Sequence, residues 1–156
     1  MSRKEWGVVT LCIVLACTLL YWMNIYINNQ TKLKEIKTSL RNKEYKEVSL
    51  IARVINKEVS GCGDIDKVLT ASSILNRVDD AAFKGNIYDV IYTPNQYTIS
   101  DTFTKDDFAI ALCVWDNIIR DCNVLYFHTA SSNTKHSRNI RKTKKLIYKS
   151  NCHEYY

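Results

Sequence analysis

The chain has little of the two residues that most often interrupt regular structure: one proline and four glycines in 156 residues. Disordered and low-complexity proteins are rich in both, so this scarcity argues against such a protein. No segment repeats at a fixed spacing, which argues against a repeat architecture. No two cysteines form a CxxC pair, so the sequence gives little support to a zinc ribbon or a thioredoxin-type redox site.

The charge is unbalanced. Lysine and arginine number 22 against 16 aspartate and glutamate residues, a net charge of +6. Such a balance favours an anionic partner, whether nucleic acid, phospholipid or the acidic bacterial cell wall. The length allows one domain with a modest core and an appendage.

The N-terminal part differs from the rest of the chain. Residues 6–27 carry no charge, follow the basic pair Arg3 and Lys4, and match the roughly 20 residues that span a bilayer. The basic flank favours a cytoplasmic N-terminus. A cleaved signal peptide is the alternative, but no small-x-small cleavage site is evident. We therefore predict a cytoplasmic start at residues 1–5, a transmembrane signal anchor at 6–27, a basic helical tether at 28–46 and a folded domain at 47–156.

The predicted anchor is only moderately hydrophobic, because threonine, cysteine and asparagine dilute its aliphatic residues. Two interpretations remain open. The bilayer holds the segment weakly and can release it, or the small residues serve helix packing in an ordinary single-pass anchor.

Hydrophobic periodicity predicts the architecture of the folded domain. Apolar residues recur at helical spacing in four segments, and short β-type runs appear only near the C-terminus. The predicted helices cover residues 48–58, 64–78, 87–92 and 104–120, and the predicted strands 124–128, 145–148 and 153–156. This pattern is typical of an α+β fold, mostly helical with a small C-terminal antiparallel sheet.

Glu58 lies on the apolar side of the first of these helices. Ile51, Val54 and Ile55 precede it by seven, four and three positions, so the four side chains share one helix face. A carboxyl group buried there is costly to ionise, and glycosidic bond cleavage needs a general acid that stays protonated. The alternative is a side chain that reaches solvent or pairs with a basic neighbour such as Lys57.

Five short motifs follow one another in this domain. They are Glu58-x-x-Gly61, Leu75-Asn-Arg-Val78, Asp89-Val-Ile-Tyr-x-Pro-x-Gln-Tyr97, Leu125-Tyr-Phe-His128 and Asn151-x-His-x-Tyr-Tyr156. In this order they resemble the spore-cortex-lytic family of bacterial cell-wall hydrolases, over residues 48–156. The resemblance implies a lysozyme-like catalytic domain that cleaves MurNAc–GlcNAc bonds of peptidoglycan, with Glu58 as its acid.

The sequence departs from that family in two places. Cys62 stands where the family commonly has a second glutamate, and the family's tryptophan after the tyrosine–histidine strand is absent. A lytic transglycosylase needs one carboxyl group, whereas a two-carboxylate muramidase needs a second one nearby. The candidates for that second group are Asp64, Asp66, Asp89 and Asp101.

The remaining motif residues are predicted to bind substrate: Asn76, Arg77, Gln96, Tyr97, Tyr126 and His128. Asn76 and Arg77 have an alternative role in capping a helix and pairing with an aspartate, and His128 in hydrogen bonding within the core. His136 and His153 have no ligand spacing around them, so we expect no metal and no cofactor.

Cysteine usage favours an exported domain. Cys62, Cys113, Cys122 and Cys152 are an even set that allows two disulfides, with four buried free thiols as the alternative. Cys12 and Cys17 lie inside the predicted anchor. After release from the bilayer, one of them is placed to attack a disulfide at Cys62, which would make them regulatory thiols. The alternative is that both are inert small side chains.

An exported glycosidase on a weak anchor resembles the signal-anchor-release endolysins of bacteriophages. We therefore expect a monomer in the inner membrane, with its catalytic domain in the periplasm and release from the anchor before lysis. Its partners would be peptidoglycan and, through residues 6–27, the membrane, with no nucleic acid. Two alternatives remain: a bacterial membrane-tethered wall-remodelling hydrolase, and a non-enzymatic anchored module whose basic stretch, residues 135–149, binds nucleic acid or anionic lipid.

Overall fold

A computed structural model describes residues 3–83, 85–121 and 123–156, with side chains from residue 17 onward. These residues form five helices and three strands. They are α1 (Arg3–Val59), α2 (Asp64–Asp79), α3 (Ile87–Tyr92), α4 (Lys105–Trp115), β1 (Phe127–Thr129), α5 (Lys135–Thr143), β2 (Tyr148–Lys149) and β3 (His153–Tyr155).

The chain divides into two units, Met1–Glu44 and Tyr45–Tyr156. The predicted tether, residues 28–46, is helical, as its spacing indicated, and almost all of its side chains are exposed. Among the described residues, no helix combines the length and the hydropathy that crossing a bilayer requires. Side chains 6–16 of the predicted anchor lie outside this description.

The last four turns of α1 form the centre of the helical core. Val48, Ile51 and Ile55 recur every three or four residues and are almost completely buried. Ile74 on α2 and Val114 on α4 belong to the same buried cluster. The prediction of a helix running through residues 48–58 is therefore confirmed, although α1 itself begins far earlier.

The predicted end of α4 near Arg120 is wrong. The helix ends at Trp115 because Asn117 adopts a positive φ of 61°, which an α-helix cannot contain. The chain therefore turns before Ile118 and Ile119. These two apolar side chains, which a helix reaching residue 120 would carry, are 69% and 43% exposed.

The C-terminal sheet is antiparallel, with β3 between β1 and β2. Phe127 is opposite Tyr155, and His128 is opposite Glu154. Since side chains alternate along a strand, the first pair lies on one face of the sheet and the second pair on the other.

Tyr155 joins the sheet to α2. Its ring is fully buried with Leu69 and Val124 in a second, smaller cluster. Its hydroxyl donates to the backbone oxygen and Oδ1 of Asp66, both at 3.1 Å, and lies 3.2 Å from Oγ1 of Thr70. Burial raises the pKa of Tyr155, so the hydroxyl keeps its proton for these bonds.

Candidate active site

Glu58 lies in the last turn of α1 and is half-buried, not fully buried as its spacing predicted. Because the helix ends one residue later, the side chain reaches the edge of the core. The backbone N–H of Thr98 donates to Oε1 of Glu58. No hydrogen bond to Oε2 is found among the described residues. One carboxyl oxygen is thus held, and the other is available to a ligand.

The loop that follows α3 is fixed along the end of α1. Ser100 donates its backbone N–H to the carbonyl of Arg53 at 3.1 Å, and Arg53 returns a bond from Nε to the carbonyl of Ser100. Together with the Thr98 bond, these contacts hold residues 96–101 beside Glu58. The loop therefore forms one wall of the site.

Tyr97, in this loop, lies near Glu58. Burial raises the pKa of Tyr97, Arg77 and Ser73 oppose the shift, and the charge of Glu58 adds to it. Its hydroxyl lies 3.2 Å from Oγ of Ser73, and its ring centroid 6.0 Å from that of Phe127. A tyrosine whose pKa is raised stays protonated at neutral pH and can donate a hydrogen bond to a sugar.

Arg77 is buried at the centre of an aromatic cluster. Its guanidinium carbon lies 5.1 Å from the ring centroids of Phe83 and Tyr97 and 5.5 Å from that of Tyr126. Nη1 donates to Oε1 of Gln96 at 2.7 Å, and Nε donates to the carbonyl of residue 125 at 2.7 Å. Arg77 therefore positions three predicted substrate residues relative to one another.

Asn76 is also buried, and its amide group is occupied by the protein. Nδ2 donates to the carbonyls of Asp121 (2.8 Å) and Val124 (2.7 Å), and Oδ1 accepts from Nε of Arg120 at 2.8 Å. These bonds fix the loop between α4 and β1. The predicted contact of Asn76 with substrate stays a prediction.

His128 belongs to a different group of residues. Its Nε2 is buried, lacks a hydrogen bond within the described chain, and lies 3.7 Å from Oε2 of Glu154. Its ring packs on Tyr156 at 5.5 Å. Since strand alternation places His128 on the opposite face from Phe127, it does not join the Tyr97 cluster. Its predicted role in substrate binding is untested.

His153 is a residue near Glu58 that the sequence analysis did not propose. It is 7% exposed, its ring lies 5.5 Å from that of Phe127, and its Nδ1 lies 3.8 Å from Oδ1 of Asp66. Burial lowers the pKa of His153, while the charges of Asp66 and Glu58 oppose that shift. The closing Asn-x-His motif was the available signal, but the carboxylates around it come from distant parts of the sequence.

Of the four candidates for a second carboxylate, only Asp66 is buried. Its Oδ1 accepts hydrogen bonds from Ser150 at 2.7 Å and from Tyr155. Asp89 caps α3, and Asp101 is fully exposed beside Arg53. Asp64 is exposed. None of the four is a buried carboxylate without a structural partner.

A disulfide joins Cys62, just after Glu58, to Cys152, just before His153. Cys113, the third candidate, is a free, half-buried thiol in the described part of the chain. Cys122 and the Cys12 side chain lie outside the described residues. Cys17 is free and exposed, and the regulatory role of the two N-terminal thiols stays a prediction.

One group of described side chains has the composition of a metal site. Atoms of Cys62, Cys152 and His153 lie within 4.8 Å of one another. Zinc binds deprotonated thiolates, and the two sulfurs here are bonded to each other. With the disulfide closed, this group offers no thiolate ligand.

Two solved structures resemble the chain. One is the catalytic domain of the SleB protein of Bacillus cereus, with a TM-score of 0.61 and 24% identity over 70% of this chain and 88% of that one. The other is the catalytic domain of the germination-specific lytic transglycosylase SleB from Bacillus anthracis, with 0.60 and 23% identity over 70% and 92%. No protein-family profile and no curated protein sequence match the chain.

The chain has the fold of the SleB catalytic domain. The predicted fold class, mostly helical α+β with a small antiparallel sheet near the C-terminus, is confirmed. At this level of identity, the likeness concerns the fold. The chemistry must be inferred from the residues around Glu58.

Proposed function

We propose that the chain is a peptidoglycan-cleaving glycosidase of the lytic transglycosylase type, with Glu58 as its general acid. One observation carries the proposal. The chain shares its fold with a lytic transglycosylase domain, and Glu58 lies in the last turn of the central helix. The Thr98 amide donates to one carboxyl oxygen of Glu58, and the other oxygen is available to a ligand. Tyr97, Arg77 and Gln96 form a polar and aromatic wall beside it, which suits a sugar chain.

In the proposed reaction, Glu58 donates its proton to the glycosidic oxygen between MurNAc and GlcNAc as the bond from the anomeric carbon breaks. The muramyl 6-hydroxyl oxygen then attacks that carbon, and its proton passes to the Glu58 carboxylate. The products are a free GlcNAc hydroxyl and a 1,6-anhydro ring, and Glu58 regains its starting form. No water is consumed. None of the four candidates is a buried carboxylate without a structural partner, which favours this route over two-carboxylate hydrolysis.

The test compares purified parent chain with Glu58→Gln on purified peptidoglycan. Glutamine keeps the shape and accepts the Thr98 bond but cannot donate the proton, so the rate should fall about 10²–10⁴-fold. Glu44→Gln, an exposed position on the same helix, is the matched control and should cleave at the parent rate. Near-parental cleavage by a folded Glu58→Gln chain would refute the assignment. Mass spectrometry of the products separates anhydro ends from hydrolysed ends, which are one water heavier.

For the cellular role, we propose a bacteriophage signal-anchor-release endolysin, held in the inner membrane by residues 6–27 with its catalytic domain in the periplasm. The uncharged, moderately hydrophobic N-terminal sequence supports this role. Fractionation of expressing cells should place the chain in the membrane, and depolarisation should move it to the periplasm and start lysis. A chain that stays in the membrane and lyses no cells would favour the tethered remodelling enzyme.

A further inference from the structure

A second cleft lies beside Tyr126, at the far side of the Arg77 cluster. It has a volume of about 590 Å³. It is lined by Asn123, Leu125, Tyr126, Lys144, Lys145, Leu146, Ile147 and Tyr156. Leu146 and Ile147 are 45% and 38% exposed, so the cleft has a solvent-exposed apolar surface. The cationic side chains of Lys144 and Lys145 also line the cleft.

The backbone of this cleft is fixed. The N–H of Lys144 donates to the carbonyl of Ile140 at the end of α5, at 2.9 Å. The N–H of Ile147 donates to the carbonyl of Tyr155 on the central strand, at 2.8 Å. The backbone of the cleft walls is therefore held by a helix end and by the sheet.

The two lysines have no acidic partner among the described residues. The nearby acidic side chain, Glu154, is engaged by Arg141 and Lys149, each at 2.7 Å. Nζ of Lys144 instead lies 4.9 Å from the ring centroid of Tyr126. A cation on a ring face keeps donors free for a ligand, so both ammonium groups are available to an anion.

A series of contacts connects the cleft to the candidate active site. The Tyr126 ring packs against the Arg77 guanidinium, and the same guanidinium packs against the Tyr97 ring. The charge of Glu58 contributes to the raised pKa of Tyr97. The cleft and the candidate active site therefore share one guanidinium, with Tyr126 on one side and Tyr97 on the other. A ligand that suits the cleft carries negative charge and small apolar parts.

We propose that this cleft binds the peptide stem of peptidoglycan, with Lys144 and Lys145 contacting its carboxylates and Leu146 and Ile147 its aliphatic groups. The inference rests on the proposed function, since it names the part of the substrate that the cleft recognises. Peptide stems combine free carboxylates with alanine methyl groups and short aliphatic chains, which matches the charge and the surface of the cleft. The glycan itself would bind at Glu58 and Tyr97.

The binding test uses the soluble tripeptide L-Ala–D-Glu–diaminopimelate on the full-length Glu58→Gln chain, followed by NMR titration. N-acetylmuramic acid, which carries only the lactyl carboxylate, is the comparison ligand. Replacing Lys144 and Lys145 together by glutamine should weaken tripeptide binding by roughly fivefold, as expected for two exposed charge pairs. Replacing Lys135 and Lys142, on the exposed side of α5, removes the same charge and should leave binding unchanged.

Equal weakening by both double variants, or tighter binding of N-acetylmuramic acid than of tripeptide, would overturn the proposal. A cleavage assay gives an independent result. The Lys144–Lys145 double variant should cleave peptide-bearing peptidoglycan roughly fivefold more slowly than the parent and amidase-stripped glycan strands at the parental rate. An equal loss of cleavage rate on both substrates would indicate that the lysines bind the sugar chain and would contradict the proposal. If the parent cleaves neither substrate, the proposed function fails. The tripeptide titration still tests whether the cleft binds a peptide stem.

Discussion

Asn76 and Arg77 are adjacent on α2, yet they hold different parts of the domain. Arg77 connects the loop of Gln96 and Tyr97 to Tyr126 through aromatic and hydrogen-bond contacts. Asn76 holds the loop between α4 and β1 through two backbone carbonyls. Both side chains are buried, so loss of either leaves polar groups that water cannot reach.

We expect Asn76→Ala to lower the free energy of unfolding by about 2–4 kcal/mol, because two carbonyls and the Arg120 guanidinium lose a buried partner. Chemical denaturation monitored by circular dichroism measures the change. Asn139→Ala, at an exposed position on α5, is the control and should change stability by less than about 0.5 kcal/mol. A loss for Asn76→Ala as small as that of the control would mean that these bonds contribute little.

At the residue scale, the sequence predicted the position of Glu58 but not its surroundings. The i, i+3, i+4 spacing placed it correctly on the core side of α1. Its partial exposure follows from the helix end one residue later. Its contacts with Thr98 and Tyr97 depend on how a loop 40 residues away folds back, and no local pattern encodes that.

The disulfide is the feature that joins elements distant in sequence. It links Cys62, just after α1, to Cys152, just before β3, across 90 residues. Glu58 and His153 flank its two ends, so the bond also limits how far the helix end can move from the sheet. Sequence alone gave an even cysteine set but no pairing, because several connectivities satisfy the same count.

Cys152→Ser should lower the free energy of unfolding by up to roughly 4–5 kcal/mol, the chain-entropy value for closing a loop of this length. Cys113→Ser, which removes a thiol that bonds to no other cysteine, should cost far less. Denaturant titrations with and without reductant measure both. A reductant effect that persists in the Cys152→Ser chain would show that another disulfide contributes.

Helices with a clear apolar periodicity were predicted, and the short basic helix α5 was not. Helix α4 begins with a capping box, with Thr104 Oγ1 accepting from the Asp107 N–H and Asp107 Oδ2 accepting from the Thr104 N–H. Helix α5 was not predicted, because its nine residues contain a single large apolar side chain, Ile140, and otherwise resemble a basic loop. Its N-cap, Thr134, was the available signal.

Two carboxylates join the elements of the folded unit as a whole. Asp107 on α4 accepts from Asn56 on α1 and pairs with Lys67 on α2 at 3.0 Å. Burial alone would raise the pKa of Asp107, but hydrogen bonds from Thr104, Asn56 and Lys67 lower it from 3.8 to about 2.

Glu154 on β3 joins the sheet to α5 through ion pairs with Lys149 and Arg141. Lys149 and then Arg141 and Tyr156 hold its pKa at about 2, down from 4.5, against the opposing effect of burial. A carboxyl group whose pKa is lower in the folded chain than in the unfolded chain stabilises the fold above the unfolded value and loses that contribution as pH falls.

We therefore expect the folded unit to lose stability progressively as the pH falls from about 4.5 to about 2, the interval between the ordinary and lowered pKa values of Glu154 and Asp107. Urea denaturation at a series of pH values gives the slope. Glu154→Gln should be less stable than the parent at neutral pH, since Arg141 and Lys149 lose their anion, but should lose less stability on acidification. Asp107 would account for the remaining slope. An unchanged acid slope in the Glu154→Gln chain would contradict this account, because a glutamine takes up no proton in that interval.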